Sequence, residues 1–176
     1  PDWCVSRQRV WGVPLPIFIN KKTSEILVDD EVFDNIAKIY EKEGSDCWFS
    51  DDPQRFLGNK YKAQDYEKLS DIVEVWFDSG STHSFVLEKR DDLKWPASMY
   101  LEGSDQHRGW FHSSLLESCG TRGRAPFESI LSHGFVVDGK GLKMSKSLGN
   151  VIAPEDILKK YGADILRIWV ASSNYA

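Results

Sequence analysis

Apolar residues recur with different spacings along the first seventy residues, and these spacings predict different elements. Residues 16–19 and 23–28 are short apolar runs separated by a polar turn, which predicts two strands, the first with the character of an edge strand. Over residues 30–43 the apolar positions lie three or four apart, which predicts a helix that ends at Gly44. Residues 45–70 are polar and interrupted by proline and glycine, so loops and short helices are expected there.

From residue 71 onwards the pattern alternates between strands and helices. Strands are predicted over residues 72–77, 98–101 and 129–137, and helices over about 82–88, 106–119, 154–161 and 163–172. Phe111, Leu115 and Cys119 form the expected apolar stripe of the second helix. Because strands that alternate with helices are typical of parallel sheets, the pattern predicts an α/β fold.

Composition is that of an ordinary globular protein. The chain has 176 residues, of which 41% are hydrophobic and 28% charged, and its net charge of −5 argues against a protein that wraps nucleic acid. Its three cysteines are far apart and form no C-x-x-C pair, which argues against a disulfide framework and against a zinc site. With no signal peptide and no long apolar run, we expect a cytoplasmic protein that does not enter membranes.

Polar clusters follow each of the three predicted strands. They are Trp76–Gly80, Glu102–Trp110, and the stretch from His133 to the loop Lys143–Ser147. Ligands of parallel sheets bind at the carboxyl ends of the strands, so we expect these clusters to meet at one edge.

The loop Lys143–Ser147, called the lysine loop below, places two lysines three residues apart between glycine-containing segments. A lysine ammonium is a compact charge on a flexible stem and suits phosphate oxygens. The flanking glycines would let the loop close over a ligand and open again. Taken alone, the same pattern is more typical of a solvated basic turn.

The second cluster offers carboxylates and an amide beside a tryptophan. Glu102 and Asp105 could accept hydrogen bonds from ribose hydroxyls or from an ammonium, although Asp105 could equally cap the next helix. Gln106 lies at the positive end of that helix. Trp76 and Trp110 could be core residues, or they could form a flat apolar slot for a small aliphatic side chain.

Four segments, in this order and spacing, resemble the class I aminoacyl-tRNA synthetases, and among them the isoleucyl-tRNA synthetases. They are Trp76–Gly80, Leu101–Phe111, His133–Phe135 and Lys143–Ser147. The run Gly103–Phe111 distinguishes the isoleucyl family from its valyl and leucyl relatives, which share the lysine loop. The opening segment Trp3–Pro14 is similar to the point where such chains return to the catalytic domain after the editing insertion. The resemblance covers essentially the whole chain and is weakest over residues 20–70.

The resemblance implies a role for each candidate residue in making an aminoacyl-adenylate. It assigns Lys146 and Lys143 to catalysis, and to ATP and adenylate binding Glu102, Asp105, His133, Gly134, Phe135, Val136, Met144 and Lys146. It assigns to amino-acid binding Gln106, Trp76 and Trp110. The implied substrates are isoleucine, ATP accompanied by Mg²⁺, and the 3′ end of the isoleucine tRNA, and the implied protein is a monomer. A role for Arg7 and Arg9 in tRNA contact stays open.

The resemblance also implies how the chain is divided. Residues 1–19 would be the segment that returns to the catalytic domain, residues 20–70 an inserted α+β connective module, residues 71–152 the second half of a Rossmann-type parallel sheet, and residues 153–176 a helical junction. The His-Ile-Gly-His signature of the family is not in the sequence. We therefore expect a piece of a longer enzyme that is inactive alone. Two alternatives are a non-catalytic nucleotide-binding module and a member of another nucleotidylyl-transfer family.

Overall fold

The computed structural model describes residues 2–173, which form two compact units divided between Thr82 and His83. Pro1 and residues 174–176, which belong to the predicted first segment and the predicted helical junction, lie outside the described residues.

The elements of the first unit are short except for one helix. In chain order they are β1 (Ser6–Arg7), β2 (Phe18–Asn20), α1 (Asp30–Glu43), α2 (Cys47–Ser50), α3 (Pro53–Leu57), a 3-10 turn (Ala63–Asp65), β3 (Tyr66–Lys68), β4 (Ile72–Val73) and α4 (Val75–Gly80). Strand β1 pairs with β4 and β2 pairs with β3, both antiparallel. The predicted helix over residues 30–43 is confirmed. Over residues 45–70 the structure has the expected short helices and loops, but it also has strand β3, which the polar pattern did not predict.

Trp48 lies at the centre of the first unit's core. Its side chain is fully buried, its ring centroid lies 5.1 Å from that of Phe18 and 4.9 Å from that of Phe56, and its indole N–H donates to the Leu69 carbonyl at 2.8 Å. The other buried members of this core are Val32, Ile36 and Leu57. The indole N–H thus has a partner despite its burial, as a buried donor requires.

The strand predicted over residues 23–28 returns antiparallel to β2 but is shorter than expected: the Asn20 N–H donates to the Glu25 carbonyl and the Leu27 N–H to the Phe18 carbonyl, both at 2.8 Å. Ile26 of that run forms an isolated bridge, to Ile19, and β2 forms its ladder with β3. A tight turn follows β2, in which the Asn20 side-chain oxygen accepts from the N–H groups of Lys22 and Thr23. The chain leaves β2 through this turn and runs alongside it only briefly.

The strand predicted over residues 72–77 is also wrong in its second half. The strand ends at Val73 because the next residue, the buried Glu74, is the N-cap of a helix. Its carboxylate accepts from the Trp76 N–H at 2.9 Å. Residues 75–80 are therefore helical, and β4 pairs antiparallel with β1 rather than within a parallel sheet.

Asp29 gives the first unit a testable dependence on pH. Its carboxylate accepts from Lys60, from the Tyr61 hydroxyl and from the Glu31 N–H at the start of α1, and the Lys60 hydrogen bond is the largest cause that lowers its pKa from 3.8 to about 2. Because the folded pKa is depressed, its contribution is present above the unfolded value and is lost as the pH falls towards 2. We expect Asp29→Asn to make the loss of α1 protection with falling pH less steep, while the part that comes from Glu43, whose pKa is lowered by its hydrogen bond with Arg55, remains.

Hydrogen exchange of the α1 amides between pH 4 and 2 measures the effect. The matched control is Asp30→Asn, which changes an exposed carboxylate in the same helical turn. An Asp29→Asn variant whose α1 amides lose protection with pH as steeply as those of the wild type would contradict the expectation.

The second unit holds the one parallel pair of strands among the described residues. Its elements are one π-helical turn (His83–Leu87), β5 (Tyr100–Gly103), a 3-10 turn (Ser104–Arg108), α5 (Trp110–Arg122), β6 (Ile130–His133), α6 (Pro154–Tyr161) and α7 (Ala163–Ser172). Strands β5 and β6 are parallel, which confirms the predicted α/β character for this unit. The two predicted helices around Gly162 are confirmed, with Pro154 at the first position of α6.

The buried face of α5 differs from the predicted stripe. Phe111 is buried as expected, but Cys119 is exposed, and the buried positions one and two turns along are Ser114 and Ser118. Serines suit these positions because both hydroxyls find partners: Ser114 shares a hydrogen bond with the buried Tyr100 hydroxyl at 3.0 Å, and Ser118 donates to the Arg124 carbonyl at 2.8 Å. Within residues 2–173, every helix is too short or too polar to cross a membrane.

Candidate functional site

The register of the parallel pair brings two of the predicted clusters together. Glu102 lies opposite Ser132, and Gly103 lies opposite His133, so both strands end side by side. The 3-10 turn leaves the end of β5 and the segment leading to the lysine loop leaves the end of β6. The predicted meeting is confirmed for the strand ends, where Glu102 and Gly103 lie beside Ser132 and His133. The Trp76–Gly80 cluster lies in the other unit and follows an antiparallel strand.

Asp105 folds back over the end of β5. A Cβ atom built on Gly103 would lie 2.7 Å from the Asp105 Oδ1 atom and 3.8 Å from the His133 Cε1 atom. A side chain at position 103 would displace the exposed Asp105 carboxylate from this place, and both Asp105 and His133 therefore lie close to Gly103. Asp105 caps no helix, because α5 begins only at Trp110 and its N-cap, Gly109, offers no side chain. The interpretation of Asp105 as a helix cap is therefore wrong.

Gln106 is held between Asp105 and Gly109. Its Nε2 group donates to Asp105 Oδ2 at 3.2 Å, and its Oε1 atom packs against Gly109, where a Cβ would lie only 2.4 Å away. That oxygen is buried and accepts no hydrogen bond from the residues described here. A buried acceptor without a donor is uncommon in proteins, so the amide has capacity for a ligand or a water molecule.

The two tryptophans occupy different surroundings. Trp110 starts α5, is partly buried, and packs with its ring centroid 4.7 Å from that of Tyr100 and 4.6 Å from that of Phe111. Trp76 lies in the first turn of α4 and is 42% exposed. Each tryptophan belongs to its own unit, and their joint role as a slot stays a prediction.

His133 and Glu102 complete the polar edge. The His133 ring donates from Nδ1 to the Gly134 carbonyl at 2.8 Å, and Glu102 accepts from the Gly103 N–H at 3.1 Å. Beside them, His107 lies 3.3 Å from the Ser132 hydroxyl. One edge of the parallel pair thus presents two carboxylates, two imidazoles and one amide.

The lysine loop rises from a hairpin that continues β6. Val137 bridges Lys143 in antiparallel fashion, the Met144 N–H donates to the Val136 carbonyl at 3.2 Å, and the Asp138 N–H donates to the Leu142 carbonyl at 2.8 Å. These bonds make Met144 a neighbour of Val136, as its predicted place beside residues 133–136 requires. Their contact with an adenine ring stays a prediction.

The two lysines have different environments. The Lys143 ammonium lies 3.5 Å from the centroid of the Phe135 ring, a cation–π contact. Lys146 is exposed, and within residues 2–173 its ammonium makes no ion pair. Among the described residues, the Lys143 ammonium is therefore held against an aromatic ring, whereas the Lys146 ammonium forms no ion pair.

Asp138 and Asn150 flank the lysine loop and are hydrogen-bonded to each other. Neither of them was assigned a role from the sequence. The Asn150 Nδ2 group donates to Asp138 Oδ2 at 2.9 Å, and Asp138 Oδ1 also accepts from the N–H groups of Lys140 and Leu142. The Asn150 hydrogen bond is the largest cause of the lowered pKa of Asp138, followed by the Leu142 and Lys140 N–H groups. The signal available in the sequence was an acid before the loop and an amide directly after it.

The whole chain, residues 1–176, matches the family model "tRNA synthetases class I (I, L, M and V)". The protein therefore belongs to the class I tRNA synthetase family, in agreement with the resemblance drawn from its motifs.

The relatives are similar along the full length of the chain. Its sequence is 90% identical over 176 residues to the isoleucine–tRNA ligase of Pelagibacter ubique (strain HTCC1062), and 59% identical over 179 residues to that of Caldicellulosiruptor saccharolyticus. The match covers 19% and 20% of those proteins, so the chain spans about a fifth of their length. A ternary complex of Agrobacterium radiobacter K84 agnB2 LeuRS with tRNA and LeuAMS shares the fold, with a TM-score of 0.66 and 24% identity over 98% of this chain and 24% of that one.

Proposed function

We propose that the chain forms part of an isoleucine–tRNA ligase, which activates isoleucine with ATP and then transfers it to the 3′ end of its tRNA. The observation that carries the proposal is the parallel end of β5 and β6, where Glu102, Asp105 and His133 lie together and the lysine loop follows. Membership of the family and the 90% identity to an isoleucine–tRNA ligase support the choice of substrate.

In the first reaction the isoleucine carboxylate would attack the α-phosphorus of ATP, and the bond to pyrophosphate would break. Little covalent work falls to the protein in phosphoryl chemistry, so its task is to position the substrates and stabilise the developing charge. Lys146 suits this role because it is exposed and untethered, and Lys143 would assist after leaving the Phe135 ring. Mg²⁺ would arrive with the ATP phosphates.

The remaining candidates would hold the two ends of the adenylate. Glu102 and Asp105 would accept from ribose hydroxyls, while His133–Val136 and Met144 would flank the adenine. The Gln106 side-chain oxygen accepts no hydrogen bond from the described residues, which supports a role in accepting one from the isoleucine ammonium. Trp110 and Trp76 are the candidates for contact with the aliphatic side chain of isoleucine.

The wider assignments follow from the same proposal. The returning segment would be residues 1–19, and the connective module residues 20–70. The second half of a Rossmann-type catalytic sheet would be residues 71–152, followed by the helical junction over residues 153–176. The enzyme would act in the cytoplasm as a monomer. It would bind the acceptor end of its tRNA, with Arg7 and Arg9 as candidate contacts.

Titration of the full-length enzyme with a non-hydrolysable isoleucyl-adenylate analogue tests the proposal. We expect Lys146→Ala and Asp105→Ala each to weaken binding by about tenfold or more, since each removes a charged contact. Asp91→Asn, a change at an exposed acid of the same unit, is the control and should bind as the wild type does. If neither Lys146→Ala nor Asp105→Ala changes the affinity for the analogue, a non-catalytic nucleotide-binding module would be favoured instead.

The 176-residue chain alone is expected not to activate isoleucine. The sequence has no His-Ile-Gly-His signature, which the family places opposite the lysine loop. Isoleucine-dependent ATP–pyrophosphate exchange by the purified chain measures this directly, with the full-length enzyme as the positive control. Exchange above background by the purified chain would refute the expectation.

A further inference from the structure

Asn150 connects both ends of the lysine loop through a single amide. Its Oδ1 atom accepts from the Ser145 N–H at 2.9 Å, and its Nδ2 group donates to Asp138 Oδ2 at 2.9 Å and to the Lys143 carbonyl at 3.3 Å. The amide therefore fixes the backbone on both sides of Met144. This is the stretch that leads directly into Lys146.

Asp138 anchors that amide. Its carboxylate accepts three hydrogen bonds, from Asn150 and from the backbone of Lys140 and Leu142, and bonds to an ionised acceptor are stronger than neutral ones. Among the described residues Asp138 forms no ion pair with either lysine of the loop. The carboxylate thus organises the loop without neutralising the charges that would meet a phosphate.

We propose that the Asp138–Asn150 pair is a positioning device for the lysine loop: it sets the backbone from Lys143 to Ser145 and thereby the reach of Lys146. The inference rests on the proposed function of that loop in adenylate formation. Neither residue touches substrate in this scheme. Both act through the loop backbone, and their loss is expected to slow the chemical step rather than weaken isoleucine binding.

Reversal of the pair offers a specific test. In Asp138→Asn the amide at position 138 faces the Asn150 amide donor to donor, and in Asn150→Asp two carboxylates face each other. The double variant Asp138→Asn/Asn150→Asp restores one donor opposite one acceptor and keeps an acceptor for the Ser145 N–H, but it removes the donor to the Lys143 carbonyl. Repair by the swap would show that the loop depends on the hydrogen bond between the two side chains and not on either residue alone.

Isoleucine-dependent ATP–pyrophosphate exchange by the full-length enzyme is the measurement. We expect each single change to lower kcat by about 10- to 100-fold, the loss of one or two hydrogen bonds to a charged group, with the KM for isoleucine within about threefold of the wild type. The double variant should be faster than either single variant but slower than the wild type, because the bond between the two side chains is restored while the donor to the Lys143 carbonyl is not. Asp91→Asn is the control for removal of a carboxylate and should behave as the wild type does.

Three results would overturn the inference. They are single variants at the wild-type rate, a double variant as slow as the slower single one, and a loss confined to the KM for isoleucine. A wild-type enzyme without isoleucine-dependent exchange would instead refute the proposed function, and this inference with it.

Discussion

Lys146→Ala in the full-length enzyme should reduce isoleucine-dependent ATP–pyrophosphate exchange by about 100- to 1,000-fold, the usual cost of removing one preorganised donor from a developing charge. The side chain is exposed, so its loss leaves no cavity and should not destabilise the fold. A large kinetic effect without a structural one is the mark of a group that acts on the transition state. Steady-state exchange with saturating isoleucine measures the kcat, and circular dichroism checks the fold.

Two further variants sharpen this prediction. Lys89→Ala removes an exposed lysine elsewhere in the same unit and should leave exchange unchanged. Lys146→Arg keeps the charge but changes its shape from a compact ammonium to a planar fork, and we expect an activity between those of the wild type and Lys146→Ala. If Lys146→Ala keeps more than about a fifth of the wild-type exchange rate, Lys146 does not stabilise the transition state, because loss of a preorganised donor typically lowers kcat by about 100-fold or more.

The helices could be predicted from the sequence where their own ends carry the signal. Helix α1 begins after Asp29, whose side chain caps it, and ends at Gly44, which adopts a φ of +83° that favours glycine. Helix α6 likewise begins at Pro154 and ends at Gly162. Such stop and start signals are local, so no knowledge of the tertiary structure is needed to find them.

The strand partners could not be predicted in the same way, because pairing is decided far along the chain. The apolar run over residues 23–28 resembles a strand as much as β3 does. Strand β3 forms the ladder with β2, and it reaches β2 only after the chain has supplied the core residues around Trp48. The helix that replaces the end of the strand predicted over residues 72–77 depends on a single side chain, Glu74, whose capping bond has no signature in the apolar pattern.

The candidate site was partly predictable for a physical reason. Parallel strands end at the same edge, so the meeting of Glu102 with His133 followed from the strand pattern alone. The position of Asp105 over Gly103 and the hydrogen bond between Asp138 and Asn150 were not predictable, because they depend on side-chain directions within irregular turns. Periodicity describes which face of an element is apolar and carries no information about such turns.

Trp48→Ala should lower the free energy of unfolding of the first unit by about 3–5 kcal/mol, the typical cost of truncating a buried tryptophan. The ring is fully buried against Phe18 and Phe56, and the change also leaves the Leu69 carbonyl without the indole donor. Hydrogen exchange of the most protected α1 amides in the full-length enzyme measures the change, because α1 contributes Val32 and Ile36 to the same core.

The matched control is Trp11→Ala, which removes the same side chain from a position that is 90% exposed. Because that indole contributes little buried area, we expect its loss to change the protection of α1 by no more than about 0.5 kcal/mol. Equal effects from the two substitutions would show that Trp48 does not hold this core together. A loss for Trp48→Ala confined to α1, with α5 of the second unit still protected, would show that the two units unfold as separate cooperative bodies.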